Sequence, residues 1–138
     1  MLVRDVMTPD PETVGPDDNL QTALDKMAAA GCRRLPVVDG VGALAGIITD
    51  RDIRLASNSP LVMRERWQDE LLMRQTVVNA CMTPDPVSVA QDAPLQDAVH
   101  LLLQRKISGL PVVDGQQLVG VITVTDLLRT LVHLLDRA

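Results

Sequence analysis

The sequence predicts a mixed α/β (α+β) fold made of two tandem copies of one unit, and three observations carry that expectation. Met7-Thr8-Pro9-Asp10-Pro11 returns 75 positions later as Met82-Thr83-Pro84-Asp85-Pro86. Leu35-Pro36-Val37-Val38-Asp39-Gly40 returns at the same spacing as Leu110-Pro111-Val112-Val113-Asp114-Gly115. Gly46-Ile47-Ile48-Thr49-Asp50-Arg51-Asp52 then returns as Gly120-Val121-Ile122-Thr123-Val124-Thr125-Asp126, one residue closer. Duplicated blocks in one order are the signature of a repeat architecture. The repeats are placed at 1–56 and 77–138, the second with an extended C-terminal helix, and 57–76 is a connecting helical linker. Two matched halves predict pseudo-two-fold symmetry.

Each half reads the same way along the chain. A short leading helix is expected to end near Met7 or Met82, before a Thr-Pro-Asp-Pro turn. A brief extended piece follows at 12–14 and at 87–89. Asp17 and Asp92 are the N-cap candidates of the next helix. There Leu20, Ala23, Leu24, Met27 and Ala28 fall on one helical stripe, as do Leu95, Ala98, Val99, Leu102 and Leu103. Two strands come next, 35–38 with 44–49 and 110–113 with 118–123, each pair joined through an Asp-Gly hairpin signal. Pro36 and Pro111 have no N–H to donate, so each is expected at a strand start or edge. A last helix starts near Asp52 or Asp126, and in the second half it runs on through Leu127, Leu128, Leu131, Val132 and Leu135. In the linker, Ser59-Pro60 reads as N-cap and first helical position, 61–74 reads as helix, and Trp67 is expected on the core.

Composition narrows the function. The chain of 138 residues is 46% apolar and 22% charged, which supplies a core and a polar surface and argues against disorder. No apolar run approaches the length of a membrane span, and the first residues lack the layout of a secretory signal. A net charge of −5 argues against nucleic acid as a partner. With no Phe, no Tyr and one Trp, a planar ligand has no aromatic platform and must lie between aliphatic side chains. Cys32 and Cys81 form no C-x-x-C pair, so a disulfide framework is not expected and a reducing cytoplasm is the simplest setting.

The duplicated Met-Thr-Pro-Asp-Pro, Leu-Pro-Val-Val-Asp-Gly and Gly-hydrophobic-x-Thr-x-x-Asp motifs resemble a cystathionine β-synthase-type repeat pair, the CBS pair or Bateman module, over 3–55 and 77–131. The resemblance implies β-α-β-β-α halves packed through their sheets, with two clefts between them for adenosine-containing ligands. It also implies a homodimer that regulates another protein, whose identity the sequence leaves open. The Thr and Asp of the third motif contact phosphate and ribose in that family. The resemblance carries those roles to Thr49 and Asp52, and to Thr123 and Asp126. It places the first pocket's walls at Thr13, Val14, Arg34, Leu35 and Pro36, and the second's at Ser88, Val89, Gly109, Leu110 and Pro111.

The chemistry of the third motif fits those roles. A strand meets a helix within three residues, and the first helical N–H groups carry the positive end of the dipole, which suits phosphate. Arg51 can bond phosphate bidentately, and Asp52 can accept from two ribose hydroxyls. Thr125 stands where Arg51 does, and Ser108 and Gly109 match Arg33 and Arg34, so the first site is the more basic, with Arg54 adding to it. Two plainer readings stay open. Thr-x-x-Asp is also a capping box, and Leu35, Val37, Leu110 and Val112 also fit a core.

Catalysis is not expected. His100 and His133 stand alone in helical context, no nucleophile has a recognisable setting, and no zinc spacing occurs. The glycines of 40–46 miss the dinucleotide-binding spacing and fall in a hairpin. No metal site and no cofactor is expected beyond the ligand, AMP, ADP or ATP. Mg2+ accompanying its phosphates would find Asp10 and Asp85, for which turn formation is the simpler role. S-adenosylmethionine, NAD(H) or a cyclic dinucleotide on the same fold is one alternative, and a ligand-free dimerisation scaffold is another.

Overall fold

The computed structural model describes residues 1–57 and 65–138. In chain order the elements are β1 (Thr8–Pro9), α1 (Leu20–Ala30), β2 (Arg34–Val38), β3 (Leu44–Thr49), α2 (Asp50–Ser57) and α3 (Arg66–Gln75). The second half gives β4 (Thr83–Pro84), β5 (Val89–Ala90), α4 (Leu95–Arg105), β6 (Gly109–Asp114), β7 (Gln117–Thr123) and α5 (Val124–Asp136). The fold is mixed α+β with two tandem repeats, as the sequence predicts. No helix among the described residues is long and apolar enough to cross a membrane.

The compact units are cut differently from the repeats. One unit joins Met1–Pro11 to Val87–Ala138, and the other is Glu12–Pro86. The duplicated Met-Thr-Pro segment therefore serves the sheet of the opposite repeat. In the first of these units β1 pairs antiparallel with β7, Thr8 opposite Val121 and Pro9 opposite Gly120, in a sheet ordered β1-β7-β6-β5. In the other, β4 pairs with β3, Thr83 opposite Ile47 and Pro84 opposite Gly46, in a sheet ordered β2-β3-β4. Val14 lies parallel to β2 through a bridge to Val37, in the position that β5 holds beside β6.

Gly46 and Gly120 are what let β4 and β1 approach. A Cβ on Gly120 would lie 2.7 Å from the Met7 sulfur and 2.8 Å from the Thr8 carbonyl oxygen. On Gly46 it would lie 2.6 Å from the Met82 sulfur and 2.8 Å from the Thr83 oxygen. In the sequence these motifs signal only turns. A two-residue strand with a proline carries no periodicity of its own, and proline is tolerated here because β1 and β4 are edge strands. The turn lies just beyond, at Asp10 and Asp85, whose φ values of 49° and 46° are left-handed, a region Asp enters more readily than most residues.

Several other expectations change in detail. The leading helices are single 3-10 turns, Val3–Asp5 and Val78–Ala80. The N-caps are Asn19 and Pro94, not Asp17 and Asp92. Asn19 Oδ1 accepts from the Thr22 N–H at 2.8 Å, while Asp18 takes the Gly15 N–H. Pro36 and Pro111 sit inside β2 and β6; β2 is an edge strand, as expected for Pro36, but β6 lies between β7 and β5. The Pro36 carbonyl points away from β3 to the Val14 N–H, so the missing donor faces the lightly paired side. The residue lost between copies falls in the hairpin, where Asp114 pairs directly with Gln117 but the first turn spans Asp39 to Ala43. Trp67 is 62% exposed and does not pack on the core. The expected Ser59-Pro60 cap and the helix start at Leu61 lie outside the described residues.

Each unit has its own core. Leu20, Ala23 and Met27 of α1 pack with Leu35, Val37, Ile48, Ile53 and Val78. Ala98 and Leu102 of α4 pack with Leu110, Val112, Ile122 and the N-terminal Val3. At about 25 cal/mol per Å² of apolar area removed from water, each full Leu or Ile side chain contributes roughly 1.5–3 kcal/mol.

Candidate functional site

The two Thr-x-x-Asp motifs stand where a strand runs straight into a helix. In the Glu12–Pro86 unit, β3 ends at Thr49 and α2 begins at Asp50. The Thr49 N–H donates to Asp52 Oδ2 at 3.0 Å, and the Asp52 N–H donates to Thr49 Oγ1 at 3.0 Å. Two orphan donors of the helix start are thereby satisfied reciprocally. The capping-box reading thus holds for both copies, because Thr123 and Asp126 close the same ring at the head of α5.

Strand pairing brings the other residues to that end of each sheet. Arg34 lies opposite Thr49, and Gly109 lies opposite Thr123. The Asp50 N–H donates to the Arg33 carbonyl, and the Val124 N–H to the Ser108 carbonyl, both at 2.9 Å. Val14 runs beside β2, its N–H on the Pro36 carbonyl at 3.1 Å and its own carbonyl on the Val38 N–H at 3.0 Å. Val89 pairs with Val112 in the same sense. Thr13 and Ser88, just before them, are half-buried.

The side chains sort into two groups. Val14, Leu35, Pro36, Val89, Leu110 and Pro111 are buried, and Val14, Leu35, Val89 and Leu110 are members of the two cores. What these positions can offer a ligand is backbone and strand edge. Arg51 and Thr125 are exposed, and Arg34, Thr49, Asp52 and Thr123 are partly exposed. Arg33 is also exposed, while Arg54 leans toward Asp50 at 3.9 Å, an exposed pair of small energetic weight. The matching positions in the second copy are Ser108, Gly109, Thr125 and Leu128, so four cations stand against none at these positions, and the second junction has Arg129 where the first has Leu55.

Three contacts were not foreseen. The Thr13 carbonyl already accepts from Lys26 Nζ at 2.7 Å, with Glu12 3.7 Å from the same nitrogen. Cys81 lies within the electrostatic reach of Asp52, and burial together with that carboxylate pushes its thiol above the ordinary range. Asp126 is drawn into a wider network by Thr8, whose hydroxyl donates to Oδ1 at 3.0 Å, and by Arg129, 3.6 Å from the same oxygen. Thr8 and Asp126 are 118 residues apart, so no local pattern could have signalled the bond. Only the repetition of Thr8 as Thr83 hinted at more than a turn.

Known proteins share this fold. The sequence profile of the CBS domain matches residues 3–59 and 77–133. A CBS domain-containing protein of Dictyostelium discoideum is 38% identical over 138 residues, 99% of this chain and 94% of that protein. The crystal structure of CBSX2 in complex with AMP superposes with a TM-score of 0.80 at 31% identity, covering 96% of this chain and 97% of that one. CBSX2 is a CBS-pair protein from Arabidopsis thaliana. The CBS domain pair of protein MJ0100, solved with 5'-methylthioadenosine and S-adenosyl-L-methionine, superposes with a TM-score of 0.75 at 27% identity, covering 95% of each chain.

Proposed function

The chain belongs to the CBS domain family, and on that premise we propose that it is a regulatory module binding adenosine-containing ligands, AMP, ADP or ATP, at the strand-to-helix junctions of its two repeats. The observation that carries the reading is the Asp52 junction. Its carboxylate is partly exposed and spends only Oδ2 on the cap, leaving Oδ1 for ribose hydroxyls. Arg51, Arg34 and Arg33 surround the helix start with charge suited to phosphate, which favours more phosphates here than at the Asp126 junction. Thr49 and Thr123 supply hydroxyls, and Thr13, Ser88, Gly109 and Thr125 border the junctions. The ligands named for CBSX2 and MJ0100 share an adenosine moiety, which supports the same class for this chain.

The module acts without catalysing a reaction, in the cytoplasm, where its two free cysteines stay reduced. Signalling runs through a homodimer. Leu128, Leu131, Val132 and Leu135 of α5 are all exposed at helical spacing, an apolar stripe of the kind that marks protein association. Ligand shifts the dimer between arrangements only as far as it binds one more tightly, and a separate protein reads the result. Sedimentation of the pure chain as a monomer at micromolar concentration would remove this part.

A thermal-shift panel of AMP, ADP, ATP, S-adenosylmethionine and NAD tests the ligand class. A true ligand at 100 times its Kd stabilises the fold by about 2.7 kcal/mol. Asp52→Ala is expected to weaken binding by roughly 10- to 150-fold, the loss of a hydrogen bond to a charged group at about 1.5–3 kcal/mol. Stabilisation by S-adenosylmethionine alone would move the ligand to the MJ0100 type, and no stabilisation by any member would leave a dimerisation scaffold.

A further inference from the structure

The two junctions share a sequence motif but differ in state, and the difference lies in one oxygen. Asp126 is 6% exposed, the one charged residue buried among those described. Its Oδ2 accepts from the Thr123 N–H at 2.9 Å and from Thr123 Oγ1 at 3.1 Å. Its Oδ1 accepts from Thr8 Oγ1 at 3.0 Å and faces Arg129 Nη1 at 3.6 Å. A carboxylate offers about four acceptor sites, and here both oxygens are committed within the Met1–Pro11 and Val87–Ala138 unit. Thr83, the repeat partner of Thr8, donates no such bond to Asp52, and Leu55 stands where Arg129 does. Among the described residues, Asp52 Oδ1 has no partner.

We infer that Thr8 is a latch on the second adenosine site: its hydroxyl occupies the Asp126 oxygen that a ribose diol needs, so that site fills only when β1 releases the carboxylate. The inference rests on the adenosine reading given above and assigns a regulation to it. The first site binds unassisted. The second is conditional on the N-terminal segment, which is anchored by Val3 in the core and meets β7 through the short β1 pairing, the Asp10 N–H on the Val119 carbonyl at 3.4 Å and the close packing of Met7 and Thr8 over Gly120. Any event that lifts β1 opens it, and a ligand seated on Asp126 favours the lifted state by linkage.

Calorimetric titration with AMP of the wild type, Thr8→Val, Thr8→Ser and Thr83→Val tests this. The wild type is expected to bind one equivalent tightly and the second weakly or not at all. Thr8→Val, which keeps shape and loses the hydroxyl, is expected to tighten the second equivalent about 10-fold or more. Thr8→Ser restores the wild-type pattern, and Thr83→Val leaves both equivalents unchanged. A second equivalent in Thr8→Val that disappears in Thr8→Val/Asp126→Ala assigns it to the latched site. Wild type and Thr8→Val binding alike, with a folded variant by circular dichroism, overturns the latch and leaves the adenosine reading standing. No AMP binding by either protein overturns the parent reading and the latch with it, whereas binding by Thr8→Val alone supports the latch and overturns unassisted binding at the Asp52 junction.

Discussion

The Asp52 carboxylate acts on Cys81 as well as on Thr49. Burial is the larger cause of the raised thiol pKa and the Asp52 charge the smaller, and both disfavour the thiolate. The folded protein therefore holds that proton more tightly than the unfolded chain. The associated stability is present below the unfolded thiol value and is lost as pH rises through the folded one. Cys81 is expected to alkylate with iodoacetamide more slowly than a free thiol at pH 8, and Asp52→Asn to accelerate it several-fold. A rate at or above the free-thiol rate in the wild type, assigned with Cys81→Ser, would contradict the assignment. Cys81 stands in the repeat where Val6 does, so no sequence pattern tied it to the site. Thr49, Asp52, Thr123 and Asp126 were legible because a capping box after a Gly-led apolar strand occurs twice. Their unequal states were not legible, because Thr8 and Arg129 set them from outside the motif.

Among the elements, the long ones were readable and the short ones were not. Helices α1 and α4 bury Ala23, Met27, Ala98 and Leu102 on the expected stripes, although Ala28 and Leu103 of the same stripes are exposed. The hairpin strands end within a residue of their expected bounds, since β-branched runs closed by Asp-Gly permit little else. Strands β1 and β4 escaped notice because their pairing is decided by glycines on distant strands. That same dependence makes Gly120→Ala informative. The new methyl meets the Thr8 carbonyl oxygen at 2.8 Å, a backbone atom that cannot swing aside as the Met7 side chain can. The variant is expected to lose about 1–3 kcal/mol of stability, the usual penalty of overpacking. Urea unfolding measures it, and a loss within error of zero would show that β1 tolerates displacement from β7. The same substitution also loosens Thr8 from Asp126 and is expected to strengthen the second AMP equivalent.

At the scale of the whole chain, repeat and compact unit are different divisions. The profile matches fall at 3–59 and 77–133, yet the units change over at Pro11 and Glu12 and again at Pro86 and Val87. The duplication was plain in the sequence. The exchange of the Met-Thr-Pro segments was not, because each segment carries the same letters whichever sheet it joins. The consequence for function is that the N-terminal segment is part of the second site's unit, and both proposed grips sit at the same place in equivalent sheets. The proposed function requires those junctions to receive the sugar and phosphate of an adenosine ligand. The most direct measurement is a map of backbone amide shifts by two-dimensional NMR during titration with AMP. The expected result is saturable shifts centred on Thr49, Arg51, Asp52, Arg34 and Thr13, followed at higher AMP by Thr123 and Asp126. Saturable shifts that leave both junctions untouched, or no shifts at millimolar AMP, would contradict it.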